Sequence, residues 1–432
     1  MPERTAAARY AVVSGALMLG SSLIAPGGYG APDMLPPAQA TPTAVTLLSG
    51  AKSPEGDFHV TTGFRLIQNT ILLDALPGNT SAEQSFVLDS GAPMTIAPRL
   101  ARDLALQPLA NIGLAGPEGG HLSVPVTQIP TLTIAGLAFH DVGAVVDWVE
   151  PPNQLACLSS AGLMGASLLQ TAIWQIDFQT EQIVITNSLA KLQGLSKAMK
   201  LPFRRSDAAG SPRISVGVSD TDEVSLLVDL GFNGSIAIPT QLLEHAGDRI
   251  ADKAPTEVGQ VSSTVFGEKS SQAHIAKMRE LRLGDLHLQD FPVFTGTAVS
   301  DFHVGIEFLR HFRVTIDWLH DDLYLESRDP VSALYYDFAS YGFNPHLRDG
   351  RLVVGSIWRG SAANRSGMEP GDQLINLDGK DTAVADFAAL CALSDTVGLF
   401  GRNRAPVSVT WIHDGKQKTS RLARTPLLPN FK

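Results

Sequence analysis

The feature that most restricts the fold of this chain is an internal repeat. The run Gln84-Ser85-Phe86-Val87-Leu88 ends on Asp89, then Ser90-Gly91-Ala92, and Leu226-Leu227-Val228-Asp229-Leu230-Gly231 repeats that grammar 140 positions later. Leu163-Met164-Gly165 returns as His303-Val304-Gly305, and Ile176-Asp177-Phe178 as Ile316-Asp317-Trp318, both at the same offset. Between these anchors the offset drifts to 148, from Leu132-Thr133-Ile134-Ala135-Gly136 to Leu281-Arg282-Leu283-Gly284. Anchors that keep their spacing while loops lengthen mark a duplicated framework with a shared core and divergent surface.

Each copy reads as short apolar or alternating strands punctuated by Gly, Pro and Asp, so the expected fold is mainly β. Phe64-Arg65-Leu66-Ile67 and Thr70-Ile71-Leu72-Leu73 predict a hairpin around Gln68-Asn69. Pro98 to Leu106 and Pro239 to Ala246 predict matching short helices that open on proline, where a missing N–H costs nothing. Because each copy ends a strand on an acid, the two halves can bring Asp89 and Asp229 together at a pseudo-twofold axis. Asp177 and Asp317 are a second matched pair, but each sits at a hairpin mouth, where Asp commonly binds turn backbone.

At these residues the chain resembles the aspartic peptidases, specifically the bacterial retropepsin-like or pepsin-like members built as a tandem of two lobes. The resemblance implies two β-barrel lobes, at residues 45–190 and 195–328, with Asp89 and Asp229 as the catalytic pair. It further implies that Ser90, Gly91 and Gly231 support the dyad, that Gly165 and Gly305 border the cleft, and that Asn111 to His121 forms a flap over substrate. In the second copy, the polar stretch Glu257 to His274 stands as a loop where the first has its flap. That copy also departs from the family pattern: Leu230 replaces the usual Thr or Ser, and Phe232 stands where a small or hydroxyl residue adjoins the dyad. Ala92 supplies no hydroxyl in the first.

The tail, residues 335–425, resembles a PDZ domain, the small α+β module. The match runs along Ser361-Ala362-Ala363-Asn364-Arg365-Ser366-Gly367-Met368-Glu369-Pro370-Gly371-Asp372 and on to Asp378-Gly379. The resemblance implies that Tyr341, Gly342 and Phe343 form the loop that receives a peptide carboxylate, that Asp386 to Leu393 is the groove helix, and that C-terminal peptides are partners. Two functional readings follow: an exported aspartic endopeptidase acting on polypeptides, or a peptidase-like scaffold that binds peptides without cutting them. The first predicts that Asp89→Asn or Asp229→Asn abolishes cleavage at mildly acidic pH.

Composition bounds both. A chain of 432 residues suits about three domains. The formal charge of −10 argues against a nucleic-acid partner. No zinc-binding His-Glu-x-x-His, no Gly-x-Ser-x-Gly elbow and no phosphate loop occurs, so neither metal nor cofactor is expected, and His303 and His311 are expected to be packing or surface residues. Arg4 and Arg9 precede the apolar run Ala11 to Ala25, and Ala38-Gln39-Ala40 could be a cleavage site. Residues 1–40 therefore read as a signal peptide or an N-terminal membrane anchor, placing the protein in a periplasmic or secreted location. Cys157 and Cys391 fall in different domains and are expected as buried or free thiols.

Overall fold

The computed structural model describes residues 16–17, 42–115, 121–147, 154–206, 209–219, 221–264, 267–297, 299–336, 338–348, 351–383, 386–389, 391–392 and 405–428. Its architecture is mainly β, in two barrel-like lobes that carry the duplicated sequence. In lobe 1, Thr70–Pro77, Gln84–Asp89, Gly162–Gly165, Thr95–Ile96, Leu137–Val146 and His121–Ile134 pair in that order and close on Thr70–Pro77. Lobe 2 repeats the ring with Pro212–Gly217, Glu223–Val228, His303–Val304, Ile236–Ala237, Leu286–Gly296 and Gly267–Leu283. The parallel contact is the same in both: Leu163 opposes Val87, and His303 opposes Leu227.

The lobes share one antiparallel sheet ordered His59–Gly63, Gln182–Thr186, Ile173–Asp177, Phe312–Asp317, Asp322–Ser327, Met199–Arg205. At its centre Gln175 opposes Thr315, its own counterpart at offset 140, and donates from Nε2 to Thr315 Oγ1 at 2.9 Å. The pseudo-twofold axis therefore passes between these residues. One apolar core, including Leu88, Trp174, Val228 and Trp318, runs through both lobes and the shared sheet. Burial on this scale fixes the lobes rigidly to each other, because each buried large side chain contributes about 1.5–3 kcal/mol.

The expected hairpin forms, Arg65–Ile67 pairing with Thr70–Pro77 through a turn at Gln68 and Asn69. The two short helices occupy Pro98–Asp103 and Thr240–His245. Glu257 to His274 is not a loop: Thr256–Thr264 and Gly267–Leu283 form one long hairpin, since residues such as Val258 and Thr264 extend a ladder despite the polar composition. Ala16–Leu17 pairs in parallel with Ser262 and Ser263 of that hairpin. A short helix, Pro42–Leu48, packs Ala44 and Leu48 on Ile112, Val124 and Val126 of lobe 1.

The C-terminal unit has its own core of Tyr341, Phe343, Leu352, Val354, Ile357 and Trp411. It is joined to both lobes. Its strand Arg351–Trp358 pairs with the lobe-2 hairpin, Glu257 against Trp358 and Gly259 against Ser356. The expectation of separate thiols is overturned: Cys157, ahead of Gly162–Gly165 in lobe 1, and Cys391 form a disulfide that spans 234 residues. Sequence distance hid the pairing, because the docking that brings the two together is tertiary. No helix among the described residues is long and apolar enough to cross a membrane.

Candidate active site

Each acid stands at the buried end of a strand, Gln84–Asp89 or Glu223–Val228, and enters a tight turn whose glycine turns its amide back on the carboxylate. Gly91 N donates to Asp89 Oδ1 at 2.8 Å, and Gly231 N to Asp229 Oδ1 at 2.9 Å. Each glycine also faces the acid of the other lobe. A Cβ on Gly91 would lie 2.9 Å from Asp229 Cγ, and one on Gly231 would lie 2.3 Å from Asp89 Cγ. Only residues without a side chain permit this approach, so the turn that holds one carboxylate also forms the wall against the other.

Asp89 and Asp229 are 0% and 1% exposed. Burial pushes Asp89 up to about 6, opposed by the Gly91 amide and by a hydrogen bond from Asp229. Asp229 is pushed up to about 8, first by burial and then by the charge of Asp89, while His303 acts in the opposite sense. Two carboxyls this close cannot both ionise cheaply, so one proton is shared. The pair titrates as a unit, with both carboxyls raised above the ordinary carboxylate range.

Ser90 and Leu230 show how the second copy manages without its hydroxyl. Ser90 Oγ donates to Val228 O at 2.6 Å and accepts from Leu230 N at 2.9 Å, so one side chain of lobe 1 serves two backbone groups of lobe 2. Leu230 is buried in the common core and returns no such bond. Phe232 does not stand between the acids. Its ring turns back into lobe 2, beside Gly234, with its centroid 4.4 Å from that of His303. It joins an apolar cluster with Ile275 and Phe294 of lobe 2 and Phe338 and Trp358 of the C-terminal segment. The bulk of Phe232 thus belongs to an apolar cluster shared by lobe 2 and the tail.

Gly165 and Gly305 lie where the loops following the acids pass closest. An added Cβ would sit 2.1 Å from Pro93 C at the first and 2.2 Å from Phe232 O at the second. The next amides hold those loops in matching fashion, Ala166 N to Ala92 O at 2.7 Å and Ile306 N to Phe232 O at 2.8 Å. His303 was missed as a site residue. It is buried, burial lowers its pKa, and its Nε2 has no hydrogen-bond partner among the described residues. The available signal was a histidine at the offset-140 counterpart of Leu163, an apolar position.

Other expectations fall elsewhere. Asp177 Oδ1 accepts from Gln179 N, and Asp317 Oδ1 from Leu319 N, as turn-binding acids do. His311 meets Asp329 at 2.8 Å. Ala110–Ala115 and His121–Ile134 form a hairpin at the flap position, and its tip, 116–120, lies outside the described residues. In the tail, Tyr341 Oη donates to Ala405 O, Gly342 N to Ser340 Oγ at 2.9 Å, and Phe343 is core. Asp386 Oδ1 accepts from Ala389 N at 2.9 Å, and part of the expected groove helix, at positions 390 and 393, lies outside the described residues. Among the described residues no group of three or more His, Cys, Asp or Glu could hold a metal ion.

No family model matches the sequence, and no curated protein matches it. Among solved structures the chain is similar to an aspartic proteinase from Irpex lacteus, at 12% identity and a TM-score of 0.39, over 65% of this chain and 100% of that one.

Proposed function

We propose that the protein is an aspartic endopeptidase in which Asp89 is the general base and Asp229 the general acid. The observation that carries the reading is the pair of buried carboxyls, each held by its own glycine amide and faced by the other lobe's glycine. Ionised Asp89 takes a proton from water as the water oxygen bonds to the scissile carbonyl carbon, while Asp229 gives its proton to the carbonyl oxygen. In the collapse of the resulting gem-diol, Asp89 passes its proton to the departing amide nitrogen and Asp229 recovers one from a hydroxyl. No covalent intermediate forms, and the dyad ends as it began.

The pair works only when singly protonated, so the rate should be bell-shaped in pH, with limbs near about 6 and about 8. That window lies above the mildly acidic one suggested by the sequence, because burial raises both acids. Asp89→Asn and Asp229→Asn should each abolish cleavage of an unfolded protein by the full chain at pH 7. Undiminished cleavage in either would overturn the reading, and peptide binding without turnover by the native chain would favour the scaffold reading instead.

The tail reads as a PDZ domain that presents peptide segments to the cleft, supported by its sequence match and independent core. An exported location, periplasmic or secreted, is supported by the basic and apolar N-terminal pattern and by the Cys157–Cys391 disulfide, since such bonds persist in oxidising compartments.

A further inference from the structure

The lobe-2 acid turn lacks the hydroxyl that would clasp it to lobe 1, yet it is tied to lobe 1 at a second place. Asn69, 0% exposed at the tip of the first lobe-1 hairpin, donates from Nδ2 to Asn233 O at 2.6 Å and to Glu307 Oε2 at 3.3 Å. Arg310 Nη1 donates to Asn69 Oδ1 at 3.0 Å, so the amide is satisfied on all three counts. Asn233 Nδ2 answers with a bond to Gln68 O at 3.4 Å. Asn233 lies two residues beyond Gly231, whose amide holds Asp229. The matching place in lobe 1 is Pro93, and the residue after it, Met94, is held within its own lobe by Ser167 Oγ.

We propose that Asn69 is a positioning residue for Asp229: it anchors the second acid turn to lobe 1 in place of the hydroxyl that Leu230 lacks. The inference rests on the peptidase reading above for its catalytic meaning, but its physical content is the placement of one buried carboxyl against another. A shift of about 1 Å in such a turn costs on the order of 100-fold in rate. It also relaxes the crowding that holds one proton on the pair.

The test uses the full chain with Asn69→Gly and Asn69→Asp. Asn69 has φ of 60°, so Gly keeps the turn while removing all three bonds. Asp keeps the shape and the Arg310 contact but loses both donors. Cleavage of an unfolded protein across pH gives kcat and KM, and carbon NMR of selectively labelled aspartate follows the dyad's titration. Both variants should lower kcat about 10- to 100-fold with KM changed less than about 3-fold. The upper titration should move down by about one unit or more as the carboxyls separate. Unchanged kcat and titration alongside a lowered Tm would overturn the proposal and leave Asn69 a structural peg. If the native chain cleaves nothing, the peptidase reading fails, and the titration alone still decides whether Asn69 positions Asp229.

Discussion

The two lobes are alike in backbone and unlike in support. Both rings have the same strand order, both acids sit on the same glycine turn, and both turns are held by the amide after Gly165 or Gly305. Apart from Ser90, which bonds to lobe 2, the side-chain support around lobe 1's acid is local: Met94 N donates to Ser167 Oγ of the same lobe. Around lobe 2's acid it is borrowed. Ser90 and Asn69 come from lobe 1, and Phe232 shares an apolar cluster with Phe338 and Trp358 of the C-terminal segment. The long hairpins differ likewise, lobe 1's braced by helix Pro42–Leu48 and lobe 2's paired to strand Arg351–Trp358. The turn geometry, carried by backbone and glycine, is therefore what both copies need, and the supporting side chains are exchangeable.

The sharpest way to break that comparison is to fill the glycines. An alanine at Gly231 places its methyl 2.3 Å from Asp89 Cγ, against 2.9 Å from Asp229 Cγ for Gly91→Ala, so something must move in both. Gly231→Ala should lower kcat/KM by more than about 1000-fold, with Gly91→Ala less severe, since misplaced catalytic groups forfeit several kcal/mol of barrier lowering. Equal and small losses in the two, measured on folded protein, would mean that the facing-glycine geometry is not essential.

The unequal dependence on the tail is tested next by Phe232→Ala. Truncating this buried ring opens a cavity among Ile275, Phe294, Phe338 and Trp358 and should destabilise by about 3–5 kcal/mol. Ala92, its lobe-1 counterpart, already lacks such a side chain. If denaturation of Phe232→Ala separates into two transitions, the ring joins tail to lobes. A single transition at unchanged midpoint would show that the tail is held by its strand and disulfide alone.

Much of this was legible in the sequence because strand ends, glycines and acids obey local rules. The offset of 140 at Asp89 and Asp229, and again at Gly165 and Gly305, followed from strands whose register a shared core holds fixed. The turn role of Asp177 and Asp317 followed from their place at hairpin mouths. What stayed hidden is what depends on which surfaces meet. Asn69 is one polar residue in a turn until Asn233 arrives opposite it. Phe232 looks like an obstruction until the tail adds Phe338 and Trp358 to its apolar cluster. Cys157 and Cys391 look like strangers until the tail docks, and Glu257 to His274 looks like a loop because its polar composition hides a hairpin whose outer edge is paired only when Arg351–Trp358 of the tail arrives.

Glu257 gives the smallest effect and the finest probe of the difference between the hairpins. It is fully buried on the lobe-2 hairpin, and its Oε1 accepts from Asn344 Nδ2 at 2.6 Å and from Ser356 Oγ at 2.5 Å, both in the tail. Its Oε2 has no hydrogen-bond partner among the described residues, and burial raises its pKa well above the usual carboxylate range despite those two donors. A raised carboxyl binds its proton more tightly folded than unfolded, so its contribution to stability is present at low pH and is lost as pH rises through the folded value. Glu257→Gln keeps both bonds at Oε1 and cannot ionise. The variant should match the native protein within about 1 kcal/mol at acidic pH and become the more stable of the two as pH rises. Because Asp89 and Asp229 are unchanged in both proteins, their own loss of stability with pH cancels in the difference between the melting curves. A difference that does not vary with pH would place no titrating proton at the junction, and the tail's hold on lobe 2 would then rest on the strand ladder and the Phe232 cluster.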